Sequence, residues 1–315
     1  MTESPSSATA TAAASVLVRE LLAGPARPAL VLAAGPAATY LDVGGRVLAV
    51  VSAGGVRLPC AVMVAGDGRP PVAGSRLAVG GGAVHQDGRR LVTVRRWFDP
   101  RVRLAGVDQR AVARFAGLVR SRGGVDALLP VDAVERLADD LRRGDARGAV
   151  AVLIGRGTGL TPAGDDLLAG ALAALRALGS PAAGDLGSAV QALEPGATTR
   201  LSAALLEAAD VGGLVPEAAD VLRALAGAGR LEGAAGRLVD LGHTSGWHLA
   251  AGLLVGVVHA GRRAARVPAS GSGVPARVPA SGCDGFGRVG TPAGSSVQTP
   301  VGSPACGPVG AGRAT

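Results

Sequence analysis

Lysine is absent from this sequence, so arginine carries all of its positive charge. A net charge of +8 and a pI near 11.0 would ordinarily point to an acidic partner such as nucleic acid. The arginines are scattered, however, with only short pairs such as Arg95 with Arg96, Arg142 with Arg143 and Arg262 with Arg263, and no aromatic-interleaved basic stripe accompanies them. That pattern is what a GC-rich coding bias produces, and it argues against a nucleic-acid partner. Aromatic residues make up only 2 % of the chain. The core must therefore come from alanine, glycine, valine and leucine, through close contacts between small side chains. Three cysteines, Cys60, Cys283 and Cys306, are too few and too far apart for a disulfide framework or a zinc site, and a reducing cytosol fits them. Cys60 reads as a buried small hydrophobe. The apolar run from Leu249 to Val258 falls short of the ~18 residues of a membrane span. The opening "MTESPSSATATAAAS" has no basic segment and carries Glu3, unlike a secretory signal, so no membrane association and a cytoplasmic location are expected.

What is present divides the chain into four parts. Residues 1–14, rich in Ala, Ser and Thr, read as a disordered leader. Residues 15–96 read as a β-rich, barrel-like domain. A short helix at "SVLVRELLAG" is followed by valine- and leucine-rich runs such as "YLDVGGRVLAVVS", "RLPCAVMVAG" and "RRLVTVRRW", with glycine-rich turns between them. "GDG" at 66–68 and "QDGRR" at 86–90 are expected as hairpin turns. At "RRWFDPRV" the strand pattern stops, and Asp99 with Pro100 reads as a helix cap and first helical residue. Residues 97–265 then show helical periodicity through "DQRAVARFAGLVRSR", "VDAVERLADDLRRGD", "TTRLSAALLEAAD", "PEAADVLRALAGAG", "LEGAAGRLVDLG" and a last helix. Residues 266–315 collapse to Gly, Pro, Ser, Ala and Val, with "RVPASG" twice, and read as a disordered tail. The fold class is therefore α+β, a barrel-like domain followed by a mostly helical one.

The chemistry concentrates at "GRGTGLTPAGDDLLAG", residues 155–170. Gly155, Gly157 and Gly159 permit positive φ or a close backbone approach, and Thr161 with Pro162 reads as the cap and start of a helix. The first-turn amides of that helix carry partial positive charge, so an anion fits there. Asp165 and Asp166 in the first turn also suit the helix dipole without any ligand, and both readings stand at this stage. No Gly-Lys-Ser/Thr completes a P-loop, and the glycines run G-x-G-x-G, which excludes a dinucleotide fingerprint.

A second stretch, "GHTSGWHLAAGLL" from Gly242, repeats the first when Gly164 is laid on Gly246. Asp166 then pairs with His248, and Gly170 with Gly252. Each polar residue stands four positions before its glycine and shares a helix face with it. The two helices are expected to pack closely through the glycines, with Asp166 and His248 approaching at one end. The plainer alternative is a duplication whose glycines only pack helices. Two such entrances converging beside Asp165, Asp166, Thr161, Thr244, Ser245 and His248 would offer amide donors to an anionic oxygen. They would also offer carboxylates to an amide group, or to Mg2+ bound through Asp165 and Asp166. His243 could line the loop, His259 suits a helix C-terminus, and Ser245 beside either neighbouring histidine is too common a pairing to define a triad.

These residues resemble the AllH-like family, whose first signature, G-x-G-x-G-L-T-P-x-G-D-D, is matched at 155–166. The second stretch is similar to the family's Gly-x-Thr/Ser-Ser-Gly-Trp-Asp run, and "WFDP" and "TTRLSAALLEAAD", with Thr199 and Ser202, also look like family features. The chain departs from the family at His248, where aspartate is usual, and at Thr158, where proline is frequent. The resemblance implies a subunit of an oxamate-type carbamoyltransferase in allantoin and purine breakdown, converting oxalurate and phosphate to oxamate and carbamoyl phosphate alongside other subunits. It implies catalytic roles for Asp165, Asp166 and His248. Substrate contacts are implied at Gly155, Gly157, Gly159, Thr161, Gly164, Thr199, Ser202, Thr244, Ser245 and Gly246. A non-catalytic assembly or ligand-binding subunit, or a stand-alone hydrolase of a small amide, are the alternatives.

Overall fold

A computed structural model describes residues 9–66, 68–72, 74–121, 129 and 132–266, with side chains as far as 262. The expected tail from 267 onward and the first eight residues of the expected leader lie outside the described residues.

Eight strands close a barrel: β1 (Ala10–Ser15), β2 (Arg27–Ala34), β3 (Ala38–Val43), β4 (Arg46–Val51), β5 (Ala61–Val64), β6 (Leu77–Gly80), β7 (Ala83–Gln86) and β8 (Arg89–Phe98). Their order around the barrel is β1-β5-β4-β3-β2-β6-β7-β8, and a parallel β1–β8 pair makes the closure. Three two-residue turns, Gly44-Gly45, Gly81-Gly82 and Asp87-Gly88, take positive φ at both positions. Such turns match the right-handed twist of the strands they join. Valines and leucines facing inward, among them Leu41, Leu48, Val50, Val62, Val79 and Val92, fill the barrel.

Two expectations are corrected here. Residues 10–14 are strand rather than leader: Ala12 and Ala14 are buried between β5 and β8, where small side chains fit the closing seam. The turn expected at 66–68, whose Asp67 lies outside the described residues, was to join a hairpin, but β5 pairs with β1 and β4 while β6 pairs with β2 and β7.

A 3-10 turn, Val16–Val18, and α1 (Arg19–Ala23) interrupt the strands. After the barrel come α2 (Gln109–Ser121), α3 (Ala133–Arg143), α4 (Ala146–Leu153), α5 (Ala163–Ala177), α6 (Ala182–Gln191), α7 (Arg200–Asp210), α8 (Pro216–Leu225), α9 (Leu231–Val239) and α10 (Ser245–Arg266). Asp99 does not cap a helix. It binds the backbone and guanidinium of Arg101 instead, and Asp108 takes the capping position at the start of α2 by accepting from the Arg110 amide. Helix α5 is buried around its whole circumference except at Arg176. A helix so uniformly apolar stabilises a fold only from the interior.

Helices α5 and α10 run side by side in the same direction, backbone against backbone. A Cβ on Gly170 would lie 2.3 Å from the Leu249 carbonyl oxygen, and one on Gly252 would lie 2.1 Å from that of Leu167. Each glycine thus meets the residue three positions before its counterpart, which makes the contact reciprocal. The entrances repeat this: Gly164 fits against the Leu153 carbonyl at the end of α4, and Gly246 against the Leu238 carbonyl near the end of α9. The helical body joins the barrel through α7, whose Leu201 enters the barrel core and whose Arg200 pairs with Asp42 of β3.

Candidate functional site

The two helix entrances meet. Thr161, just before α5, and Ser245, the first residue of α10, bring their hydroxyl oxygens within 2.9 Å of each other. Both hydroxyls also favour the charged form of the neighbouring Asp166 carboxyl group. Helix α5 begins at Ala163, with Pro162 as its flanking residue and no side-chain cap, so Thr161 links the two entrances instead of capping one. Asp166 is 7 % exposed, and its Oδ2 has no hydrogen-bond partner. Burial, with a smaller contribution from the Asp165 charge, pushes its carboxyl up to about 8 against the pull of the two hydroxyls. At neutral pH it is predominantly the uncharged acid.

Asp166 borders a cavity of about 240 Å³ between the helices and the barrel. Thr161, Ser245 and Tyr40 of β3 supply the other side-chain hydroxyls, and the remaining wall is mostly apolar, including Leu58, Leu201, Leu205 and Leu249. Burial also raises the Tyr40 phenol. An uncharged carboxyl group donates through one oxygen and accepts through the other, which matches the paired acceptor and donor of an amide or ureido group.

The remaining predicted residues take other places. Asp165 is buried and holds the glycine loop: it accepts from the Gly155 amide at 2.7 Å and from the Thr198 hydroxyl. Gly155, Gly157 and Gly159 all have positive φ. A Cβ on Gly157 would lie 2.4 Å from the Ala163 amide, and the Gly164 amide donates to the Arg156 carbonyl. The loop therefore folds over these α5 amides. Thr199 caps α7, accepting from the Ser202 amide and donating to the Leu160 carbonyl, which ties α7 to the same loop; Ser202 is buried. Gly164 and Gly246 make the entrance contacts already described. Thr244 accepts from the His248 Nδ1 at 2.9 Å through its carbonyl. His248 is buried edge-on to Trp247, and neither it nor Asp165 borders the cavity. His243 is exposed. Among the described residues no group of three or more His, Cys, Asp or Glu is placed to hold a metal ion. Cys60 is buried, and desolvation pushes its thiol up to about 12.

Tyr40 escaped the sequence reading because it lies in the barrel, far along the chain from the glycine motifs. Its being the only tyrosine was the one available signal, and it named no partner.

Barrel, helical body and buried acid together define a protein with a small, largely apolar cavity bordered by one buried carboxyl group. Residues 153–257, from the end of α4 through most of α10, match the model of the AllH family, described as oxamate carbamoyltransferase subunit AllH. The likeness read from the two glycine motifs therefore holds across this span. No curated protein and no solved structure matches the chain. Among the described residues no helix is long and apolar enough to cross a membrane.

Proposed function

We propose that the chain is an AllH-type subunit of an oxamate-type carbamoyltransferase that acts with partner subunits on a small acid amide. The observation supporting this is the position of Asp166: it lies in the matched span, at the meeting of the duplicated entrances, with its carboxyl bordering the cavity. In this reading the Asp166 carboxyl, with Ser245 and Thr161, holds the ureido group of oxalurate. A phosphate oxygen then bonds to the ureido carbon, the carbon–nitrogen bond to oxamate breaks, and Asp166 gives its proton to the departing nitrogen. The carboxylate recovers a proton from the phosphate. Asp165 positions the loop, and His248 and the glycines fix the helix pair.

The second reading, a subunit for assembly, draws on two apolar side chains at the cavity rim, Leu160 at 45 % and Val56 at 39 % exposure. Oxalurate phosphorolysis by the chain with its partner subunits separates the two. Asp166→Asn should slow turnover by about 10²–10⁴-fold, the range of a lost proton donor, with assembly intact. Unchanged turnover, or failed assembly, favours the scaffold. Turnover by the chain alone would favour the stand-alone hydrolase.

A further inference from the structure

Among the described residues, no arginine borders the Asp166 cavity. Positive charge gathers around a separate cavity of about 450 Å³, bordered by Arg101, Arg103, Arg176, Ser180 and Asp210. The segment that leads out of the barrel carries the first two. It is fixed by its backbone: the Val102 amide donates to Gly212 at 3.2 Å, the Leu104 amide donates to Ala177 at 2.8 Å, and Pro100 accepts from the Leu214 amide at 3.1 Å. Val102 is buried in the helical core. Alternation along an extended segment therefore sets Arg101 and Arg103 together on its other side.

Charge pairing leaves one cation in surplus. Arg101 pairs with Asp99, and Arg176 pairs with Asp210, which Gln191 also holds. Arg103 is exposed and has no ion pair among the described residues. The Arg176–Asp210 pair is built in, because a Cβ on Gly187 would lie 2.0 Å from the Asp210 carboxylate. Ser180, 9 % exposed, also borders this cavity, and its hydroxyl has no hydrogen-bond partner. Ser180 and Pro181 open the ten-residue helix α6, whose positive end adds to the field, and Ala183 of its first turn also borders the cavity.

We propose that this cavity is an oxyanion site for a phosphate group, with Arg103 and Arg101 as its cations and the Ser180 hydroxyl as a buried donor. A planar guanidinium offers paired donors to phosphate oxygens, and the unmatched Arg103 charge is the one an anion would neutralise. The site stands independently of the carbamoyl chemistry proposed above.

Titration of the full chain with inorganic phosphate at fixed ionic strength tests it. Saturable binding is expected, weakened at least about tenfold by Arg103→Glu, as for loss of a charge-assisted contact. Arg103→Gln and Ser180→Ala should each weaken it less. Arg103 is exposed, so its variants should unfold at the wild-type temperature. A second arm uses oxalate, which carries carboxylate oxygens without phosphorus: weaker binding than phosphate supports the assignment, and tighter binding overturns it. No saturable phosphate binding, or binding indifferent to Arg103→Glu, also overturns it.

Discussion

The entrance of α5 and the entrance of α10 share a skeleton and differ in what they do with it. Each has a glycine pressed on the carbonyl of a preceding helix, Gly164 on Leu153 and Gly246 on Leu238, and a second glycine pressed on the opposite helix. At the equivalent polar position, however, Asp166 borders a cavity with one oxygen unpartnered, while His248 is packed against Trp247 and bonded back to Thr244. Repetition thus fixes the backbone, and of the two residues at the equivalent position only Asp166 borders the cavity.

The largest effect is expected where that shared skeleton is broken. Gly252→Val would drive a branched side chain into the Leu167 carbonyl, and Gly170→Val would do the same at Leu249. Both should prevent folding or remove about 4 kcal/mol or more, as overpacking against backbone does. Urea unfolding followed by circular dichroism measures it. Equal damage from the two variants confirms the reciprocity, and tolerance of either one breaks it.

A smaller effect should come from Asp165→Asn, which replaces an acceptor of two hydrogen bonds with an amide. The loop at 155–161 should loosen at a cost of roughly 1–3 kcal/mol, typical of a buried charged hydrogen bond. Faster proteolysis confined to that loop is the corresponding readout. Unaltered stability would mean that Asp165 does not hold the loop, and the division of labour between the adjacent aspartates would fail.

Much of this was legible in the sequence, for physical reasons. Amphipathic periodicity exposed α2, α3, α7, α8, α9 and α10, and the glycine spacing exposed the α5–α10 contact. Strand β1 was missed because Ala10–Ser15 has only Thr11 among the branched or aromatic residues that mark strands, and burial in the closing seam overrides that weak propensity. Helices α4 and α6 were missed for a related reason: "ARGAVAVL" reads equally as a valine-rich strand, and "AAGDLGSAVQ" contains two glycines. At the site, the residue types were readable and their partners were not. Asp165 and Asp166 are adjacent in sequence, yet the fold sends one to the loop and the other to the cavity. Tyr40 and the 101–103 segment reach their places only through the docking of barrel on helices.

The stability of the chain should record the state of Asp166. Folding lifts this carboxyl from 3.8 to about 8, so above pH 3.8 the folded chain keeps a proton that the unfolded chain has released. Its contribution is therefore greatest below pH 3.8, declines as pH rises, and levels off above about 8. Carboxyl carbon NMR of the labelled chain, with Asp166→Asn to assign the resonance, measures the titration directly. A midpoint near 8 is predicted; a midpoint near 4 would mean that Asp166 is an ordinary ionised carboxylate, and would contradict the account of an uncharged acid serving the cavity.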